Sequence, residues 1–466
     1  MNDEELIPDV LADRYASAAM AAIWSPTGKV KAERRLWVAV LEAQRDLGIE
    51  VPEGAVEAYR DAIEEVSLDS IRERERVTRH DVKARIEEFC ALAGHEHIHK
   101  GMTSRDLTEN IEQLQILQSL RLVRRKLAAV VCALGRQAEA HAELIMVGRS
   151  HNVAAQATSL GKRFANCGEE AWAALERMDG LLRRYRLRGL KGPVGTQQDQ
   201  LDLFLGDAHK VRALEQRLAE HLGFSAAMAS VGQVYPRSLD YDVVSALVQA
   251  SSAPANLART IRLMAGHDLI SEGFQAGQVG SSAMPGKRNA RTSERICGLA
   301  AVVQGYADMM AALVGDQWNE GDVSCSVVRR VALPGAFLAL DGQLEATLVV
   351  LKELVVSEEA IAAELAANLP ALTATRMLMA SVAAGAGREE AHRIVSEHVL
   401  RGEGFFAAVA QDERLPITPV TVERIKSEIL VLAGAAPAQS RAFARRAQQL
   451  AEQHPDAARY QPEPIL

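Results

Sequence analysis

Aromatic residues are scarce in this 466-residue chain. Phe, Trp and Tyr make up 4% of it, whereas apolar residues together reach 48%. An apolar surface made mostly of Ala, Leu and Val favours helices that pack closely on small side chains over a sheet protein. The length exceeds what one hydrophobic core usually serves, so we expect two or three subdomains.

Cysteine is also infrequent, and no two cysteines have C-x-x-C spacing. The five cysteines are scattered along the chain, at Cys90, Cys132, Cys167, Cys297 and Cys325. This odd, dispersed set argues against a disulfide framework, a zinc site or a redox pair, and a reducing cytoplasm suits it best. The acidic N-terminus has no apolar signal core, and no uninterrupted apolar run reaches membrane-spanning length. We therefore expect a cytoplasmic protein that does not enter a membrane.

Basic residues are outnumbered by acidic ones, 53 to 61, which gives a formal net charge of −8. Nucleic acids and anionic membranes are bound by positive surfaces. The charge balance therefore argues against either of them as the main partner. A local cluster of basic residues has to be explained by its own surroundings in the chain.

The chain divides into three segments by the length of its predicted helices. Residues 1–103 predict a small N-terminal helical domain, residues 104–356 an elongated bundle of long helices, and residues 357–466 a smaller C-terminal helical domain. Thr103 precedes the first long helix, with Asp106 as its capping partner. Further long helices are predicted at about 166–186, 207–222, 238–270, 290–315 and 331–355. Proline breaks in the last segment are predicted at Leu369-Pro370, Leu415-Pro416 and Thr418-Pro419.

A polar stretch between two predicted helices, residues 272–289, combines four glycines with two serines, a lysine and an arginine. Ordering such a loop costs conformational entropy, so a loop retained beside a bundle often closes over a ligand. A tolerated surface linker is the alternative.

The second half of this loop, Gly280–Asn289, resembles the GSS-x-MP-x-K-x-N signature of the fumarase/aspartase superfamily. The resemblance implies an all-α fold of three domains whose long central helices form a tetrameric core. It also implies elimination of fumarate without a cofactor or a metal, with Ser281 as the base. A hydroxyl needs a closed site and nearby cations to act as a base, and Lys287 is the nearest candidate cation. Lys287 and Asn289 match the residues that hold the fumaryl carboxylates.

A second stretch, residues 148–159, resembles the superfamily segment whose histidine protonates the leaving nitrogen. That role falls on His151, and an imidazole can deliver a proton near neutral pH. Ser150 stands where threonine usually precedes this histidine.

Two segments are similar to adenylosuccinate lyases in particular. The resemblance assigns the nucleotide site to Arg79, His80 and Asp81, and the succinyl or phosphate end to His99, Thr103 and Ser104. The alternation His95-x-His97-x-His99 leaves a metal site as the competing interpretation. The metal-free elimination that the resemblance implies disfavours it.

The remaining matches to this purine branch are dispersed. They place substrate contacts at Arg14, Tyr15, Gln233, Arg295, Ser326 and Arg330. An arginine fork at Arg14 suits a phosphate. Three positions depart from the commonest pattern: Gly286 replaces histidine or tyrosine, Ala290 replaces proline, and Gly321 replaces arginine. These departures bear on substrate affinity more than on reaction type.

The resemblance as a whole implies a carbon–nitrogen lyase of purine nucleotide biosynthesis. Its substrates would be adenylosuccinate, which yields AMP, and the succinylated aminoimidazole carboxamide ribotide, each releasing fumarate. The matching segments are widely separated on long helices, so we expect a homotetramer whose sites combine several subunits. Two alternatives stay open: a lyase of the same superfamily that acts on aspartate or argininosuccinate, and a non-catalytic helical tetramer.

Overall fold

The computed structural model describes residues 8–273, 284, 287–402 and 404–463. Short helices and one long one make up the first part of the chain. They are α1 (Val10–Arg14), α2 (Ala18–Trp24), α3 (Pro26–Asp46), α4 (Ala55–Asp61), a 3₁₀ turn (Ala62–Glu64), α5 (Leu68–Thr78) and α6 (Asp81–Ala93). Local chemistry sets several of these boundaries. The Ser25 hydroxyl accepts the Gly28 N–H at 3.0 Å, and Pro26 occupies the first helical position, where its missing N–H costs nothing.

Five long helices form the central bundle: α7 (Ser104–Ala140), α8 (Leu160–Arg184), α11 (Ser238–Ala265), α12 (Arg291–Ala311) and α13 (Cys325–Glu353). Two short helices, α9 (Gln198–Leu203) and α10 (Ala208–His221), lie between α8 and α11 in the chain. The Thr103 N–H donates to the Asp106 carboxylate at 2.9 Å, which confirms the predicted cap of α7.

Helices α7 and α13 run side by side in the same direction. Arg105 of α7 contacts Ser326 near the start of α13, Lys126 contacts Asp341 midway, and the Gln137 amide donates to the Leu351 carbonyl near the other end. Because these contacts follow chain order in both helices, a position along one helix has a fixed counterpart along the other.

Two small antiparallel sheets interrupt the helices. In the first, β1 (Ile145–Ser150) pairs with β2 (Val153–Ser159); in the second, β3 (Ile270–Ser271) pairs with β4 (Val355–Val356). Neither sheet was predicted from the sequence. Pair β3–β4 ties the segment before residues 274–283 to the end of α13.

The last part of the chain is helical. It contains α14 (Glu358–Ala383), α15 (Arg388–Arg401), α16 (Phe405–Gln411), α17 (Pro419–Ser427), α18 (Ile429–Leu432), α19 (Ala436–Gln453) and α20 (Pro455–Ala458). Side chains of α14 to α17 form their own apolar cluster. Phe443 and Ala447 of α19 instead join the main core, where they pack against glycines of α8 and α7. The three-domain division stays a prediction.

The predicted break at Leu369-Pro370 is wrong, because α14 continues through Pro370. Side chains on both sides of the proline bind carbonyls that precede it: the Asn368 amide donates to the Glu364 carbonyl at 2.8 Å, and the Thr373 hydroxyl to the Leu369 carbonyl at 2.8 Å. Neighbouring polar groups can thus support a helix that has lost one backbone bond. The break at Thr418-Pro419 matches the start of α17, where Thr418 is the N-cap.

Helix α13 is long and apolar enough to cross a membrane by length and composition alone. Within its most apolar stretch of 18 residues, 89% of the residues are buried inside the protein. It is therefore the central helix of the bundle core, and the all-α fold class predicted from the sequence is confirmed.

Candidate active site

One group of predicted site residues meets at the end of the bundle where α7 and α13 begin. His80 is the N-cap of α6, and its Nδ1 accepts the Lys83 N–H at 3.3 Å. Its Nε2 lies 3.4 Å from the Ser104 hydroxyl. Arg79, which precedes His80, is exposed and closes α5 with a left-handed φ of 50°.

Asp81 links this group to α13 because its carboxylate lies 3.7 Å from the Arg330 guanidinium. Arg85, one turn further along α6, donates to Asp81 at 3.1 Å and also pairs with the fully buried Glu33 at 2.7 Å. Burial alone would raise the pKa of the Asp81 carboxyl, but Arg85 and then Arg330 hold it below its usual range. Asp81 therefore stays an anion that can accept hydrogen bonds.

Ser326 is held at the same end by a residue that the sequence analysis gave no role. The Arg105 guanidinium donates to the Ser326 hydroxyl at 3.0 Å and to Glu109 at 3.1 Å. The structure thus brings together Ser104, Ser326 and the segment around His80 from three distant parts of the sequence.

The buried Asp106 carboxylate anchors the backbone next to this group. This carboxylate accepts the Thr103 N–H, the Arg188 guanidinium at 2.6 Å and the Lys191 N–H at 2.8 Å. A single carboxylate thus joins the N-terminus of α7 to the loop that begins at Arg188. Thr103, which the sequence analysis placed in the substrate site, has its backbone fixed by this contact.

Gln233 approaches the same end on the loop before α11, where its N–H donates to the Glu320 carbonyl at 2.7 Å. Next to it, Arg237 donates to Glu109 at 2.7 Å, and Arg329 pairs with Asp240 at 2.8 Å. Burial opposes the charge on Arg329, but the surrounding carboxylates outweigh it and raise its pKa. This buried network fixes the loop against α7 and α13.

Tyr15 and Arg295 meet further along the bundle. The Arg295 guanidinium lies 5.6 Å from the centre of the Tyr15 ring, and the Tyr15 backbone packs against Gly342 of α13. Gly342 is 16 positions after Ser326 along α13, which corresponds to roughly 24 Å of helix. Arg14 is exposed beside Tyr15.

Lys287 and Asn289 lie near the opposite end, beside the last turns of α11. They contribute to a cavity of about 850 Å³ that also includes Arg259 and Arg262. Ser281, the predicted base, lies outside the described residues, as do Ser282 and Gly286.

The start of α12, near this cavity, is capped by a residue from outside the helix. The N-cap Ala290 has no capping side chain, and Glu272 accepts the Thr292 and Ser293 N–H groups at 3.0 and 2.5 Å instead. The carboxylate of a distant residue therefore caps the helix.

His151 occupies the tip of the β1–β2 hairpin. His151 and Asn152 form its two-residue turn with left-handed φ values of 51° and 63°, as a type I′ turn requires. The imidazole is exposed, and Asn152 lines a cavity with Leu263 and His267 of the α11 end. The structure thus presents His151 outward on a tight turn.

The predicted residues of one chain therefore lie at three levels of the bundle. Helix α7 alone spans about 55 Å from Ser104 to Ala140, and the hairpin with His151 follows its far end. A single chain brings His80, Asp81, Ser104, Ser326 and Arg330 together, but it does not bring them to His151 or Lys287.

The His95-x-His97-x-His99 alternation does not converge on a common point. His99 Nδ1 is occupied by a hydrogen bond from Trp37 at 3.0 Å. Across the described ranges, no three His, Cys, Asp or Glu side chains are grouped so that they could hold a metal ion.

Three residues that contact predicted site residues were not singled out from the sequence: Trp37, Arg85 and Arg105. Arg105 lies inside a segment that was recognised, so its position between Ser104 and Asp106 was a usable signal. Trp37 lies 62 residues from His99, and no local pattern connects them.

Comparison with known proteins identifies the family of the chain. Residues 16–305 match a protein family described as lyase. The chain is 33% identical over 403 residues to adenylosuccinate lyase of Schistosoma mansoni, across 85% of this chain and 84% of that protein. It is 34% identical over 421 residues to adenylosuccinate lyase of Saccharomyces cerevisiae, across 89% and 86%. For the Pyrococcus abyssi adenylosuccinate lyase the identity is 30% over 428 residues, across 89% and 93%.

Solved structures share the fold. The crystal structure of 3-carboxy-cis,cis-muconate lactonizing enzyme from Pseudomonas putida superposes with a TM-score of 0.83 at 19% identity, over 95% of this chain and 100% of that one. Fumarate lyase from Mesorhizobium sp. BNC1 superposes with a TM-score of 0.80 at 21% identity, over 93% and 98%.

The helical bundle and these matches define a carbon–nitrogen lyase of the fumarase/aspartase superfamily. Within that superfamily, the chain belongs to the adenylosuccinate lyase family. The predicted family is therefore confirmed.

Proposed function

We propose that the chain converts adenylosuccinate to AMP and fumarate, and that it releases fumarate from succinylaminoimidazole carboxamide ribotide in the same way. The observation that supports this most is the meeting of His80, Asp81, Ser104, Ser326 and Arg330 at one end of the bundle. These residues come from three distant segments, and all were predicted to contact the nucleotide or its anionic groups. The names of the relatives point to the same substrate.

The proposed reaction is an anti elimination. Ser281 removes the proton from the carbon β to the amine, and the electrons of that C–H bond form the C=C bond of fumarate. The C–N bond breaks, and His151 delivers a proton to the departing nitrogen. Lys287 and Asn289 bind the carboxylate next to the reacting carbon, where negative charge develops. The chain's own side chains supply every proton transfer.

The active assembly is proposed to be a homotetramer in the cytoplasm, with each site built from several subunits. The support is geometric: the three levels of predicted residues are separated along helices α7 and α13. Only residues from neighbouring subunits could complete the group at each end.

The test follows the ultraviolet absorbance of adenylosuccinate with the intact chain, Ser281→Ala and His151→Ala. We expect the intact chain to release fumarate and each substitution to lower kcat at least about 100-fold. Ser282→Ala and His209→Ala, an exposed histidine on α10, are the matched controls and should keep near-normal kcat. If no succinylated nucleotide reacts, while aspartate or argininosuccinate does, the purine assignment is wrong. If none of these substrates reacts, a non-catalytic role replaces it.

A further inference from the structure

The hydrogen bond between Trp37 and His99 fixes the protonation of the imidazole. The Trp37 indole Nε1 lies 3.0 Å from His99 Nδ1, and the two rings meet edge to face with centroids 6.0 Å apart. An indole N–H can only donate. His99 Nδ1 must therefore be an unprotonated acceptor, and in the neutral ring the proton lies on Nε2.

Trp37 is itself held rigidly. It is 1% exposed in the interior of α3 and stacks on Phe89 of α6 at 6.1 Å. His99 has a left-handed φ of 64° on the loop before α7, so its backbone is also constrained. The pair is therefore a fixed geometric unit and not a chance surface contact.

The charges that face His99 come from two elements. Asp106 of α7 favours the imidazolium, but its carboxylate is already bound by the Arg188 guanidinium. His80, at the start of α6, disfavours it. Burial is the largest influence, and with His80 it lowers the pKa of His99 to about 4. His99 is therefore neutral throughout the range from pH 6 to 8.

The outer nitrogen of His99 is available to a ligand. Among the described residues, none forms a hydrogen bond with Nε2, whereas Nδ1 is occupied by Trp37. Neighbouring His80 was predicted to line the nucleotide site, and Ser104 to bind the succinyl or phosphate end of the substrate. The Nε2–H group therefore faces the place where an anionic oxygen of the substrate would bind.

We propose that Trp37 is a positioning residue that holds His99 as a neutral Nε2–H donor to an anionic oxygen of the substrate, and that His99 transfers no proton. The proposal rests on the proposed function. It adds to that function a residue outside the matched motifs and a definite protonation state for His99.

The kinetic test compares Trp37→Phe with Trp24→Phe. Trp24 is the matched control, because it also donates an indole hydrogen bond, to Ser119 at 3.0 Å, at a site away from His99. Without the Trp37 donor, the neutral ring of His99 can carry its proton on either nitrogen. Burial and His80, which lower the pKa of His99, remain in this variant, so the ring stays neutral from pH 6 to 8.

We expect the KM of Trp37→Phe, divided by that of Trp24→Phe, to be raised about tenfold at both pH 6 and pH 8, because the Nε2–H donor is no longer fixed. The ratio of kcat values should stay within about threefold. A KM ratio near one, or a loss confined to kcat, would overturn the proposal.

A second pair of variants keeps the proposal testable if Trp37→Phe does not fold. The amide nitrogen of His99→Gln reaches the position of Nε2, whereas that of His99→Asn reaches the position of Nδ1. His99→Gln should therefore retain at least about tenfold more kcat/KM than His99→Asn. Equal losses of more than about 100-fold in kcat for both would indicate proton transfer instead.

A measurement without substrate separates this proposal from the proposed function. In ¹⁵N NMR spectra of histidine-labelled protein, the His99 signals are identified by their absence from His99→Gln. We expect an unprotonated Nδ1 and a protonated Nε2 that do not change from pH 6 to 8 in the intact chain. In Trp37→Phe the same signals should instead show a mixture of the two neutral tautomers. A protonated Nδ1 in the intact chain would refute the assignment even if adenylosuccinate is not a substrate.

Discussion

Three of the predicted site residues have left-handed backbone conformations, which residues other than glycine adopt at a cost. The φ values are 50° for Arg79, 64° for His99 and 51° for His151. Each follows or precedes a regular element that fixes it: the end of α5, the loop before α7 and the β1–β2 turn. Strain of this kind persists where the surrounding structure determines the conformation, and it is typical of functional sites.

The structure explains why glycine stands at position 321, where the family pattern has arginine. The φ of 138° at Gly321 is rare for residues with a side chain, and a Cβ there would lie 2.9 Å from Val234 Cγ2 and 3.3 Å from Gln233 Cβ. An arginine at this position would need a different path for the loop. The backbone conformation at this position therefore favours glycine over arginine.

We expect Gly321→Ala to lower the free energy of unfolding by about 1–3 kcal/mol and to raise KM, because the clash displaces the loop that carries Gln233. Thermal unfolding and steady-state kinetics would measure both effects. Gly385→Ala is the control, since Gly385 also has a positive φ, of 105°, but its Cβ would meet nothing within 4 Å. If both variants lose the same stability and keep the same KM, contact with Val234 and Gln233 has no effect.

At the scale of elements, the long helices were predictable and their local exceptions were not. Helical periodicity and a capping pair identified α7, since both signals lie within a few residues of each other. The β1–β2 hairpin depends on pairing across a turn of His151 and Asn152, which lacks the glycine that usually signals one. The helix break predicted at Pro370 was wrong because Asn368 and Thr373 support the helix around it. Such support is not evident from a proline alone.

The β1–β2 hairpin is attached to α14 by side chains. Arg149, two residues before His151, forms a partly buried ion pair with Glu364, and the Gln156 amide donates to the Thr375 hydroxyl at 3.3 Å. The C-terminal helices therefore determine where the exposed imidazole of His151 lies.

We expect Glu364→Gln to lower kcat roughly tenfold with little change in KM, because a small displacement of His151 weakens proton delivery more than substrate binding. Steady-state kinetics on adenylosuccinate would measure it. The control is Glu423→Gln, which removes an exposed pair with Lys426 on α17. The exchanged double variant Arg149→Glu with Glu364→Arg should recover part of kcat. Unchanged kcat in Glu364→Gln would contradict the role of the ion pair.

At the scale of the whole molecule, the separation of the predicted residues is the dominant feature. This separation was expected from the spacing of the motifs along long helices. Because α7 and α13 run in parallel, the distance between the groups of residues can be read along these helices. Which neighbour supplies which residue could not be predicted, because that depends on the surfaces between subunits and not on the chain's own periodicity.

A mixing experiment tests the composite site. If Ser281 and His151 of one site come from different subunits, combining inactive Ser281→Ala with inactive His151→Ala under conditions that exchange subunits should restore activity. About a quarter of the sites in a random mixture would contain both intact residues under this assumption. Fumarate release by the refolded mixture measures the recovery, and the two variants refolded separately are the controls. A mixture as inactive as its parts would contradict the shared site.

A buried charge cluster joins the two ends of the described chain. The fully buried Lys126 pairs with Asp341 and Glu345, and Glu345 in turn accepts the Tyr460 hydroxyl and the Glu463 N–H. Glu463 also accepts the Ala18 N–H at 2.9 Å.

This cluster has a consequence for protein synthesis. Lys126 is translated long before Tyr460 and Glu463, so its final surroundings cannot form until residues 460–463 have left the ribosome. A buried ammonium group with incomplete partners is unfavourable. The middle of the bundle should therefore reach its native packing only after these residues emerge, and until then a growing chain would leave this region incompletely packed.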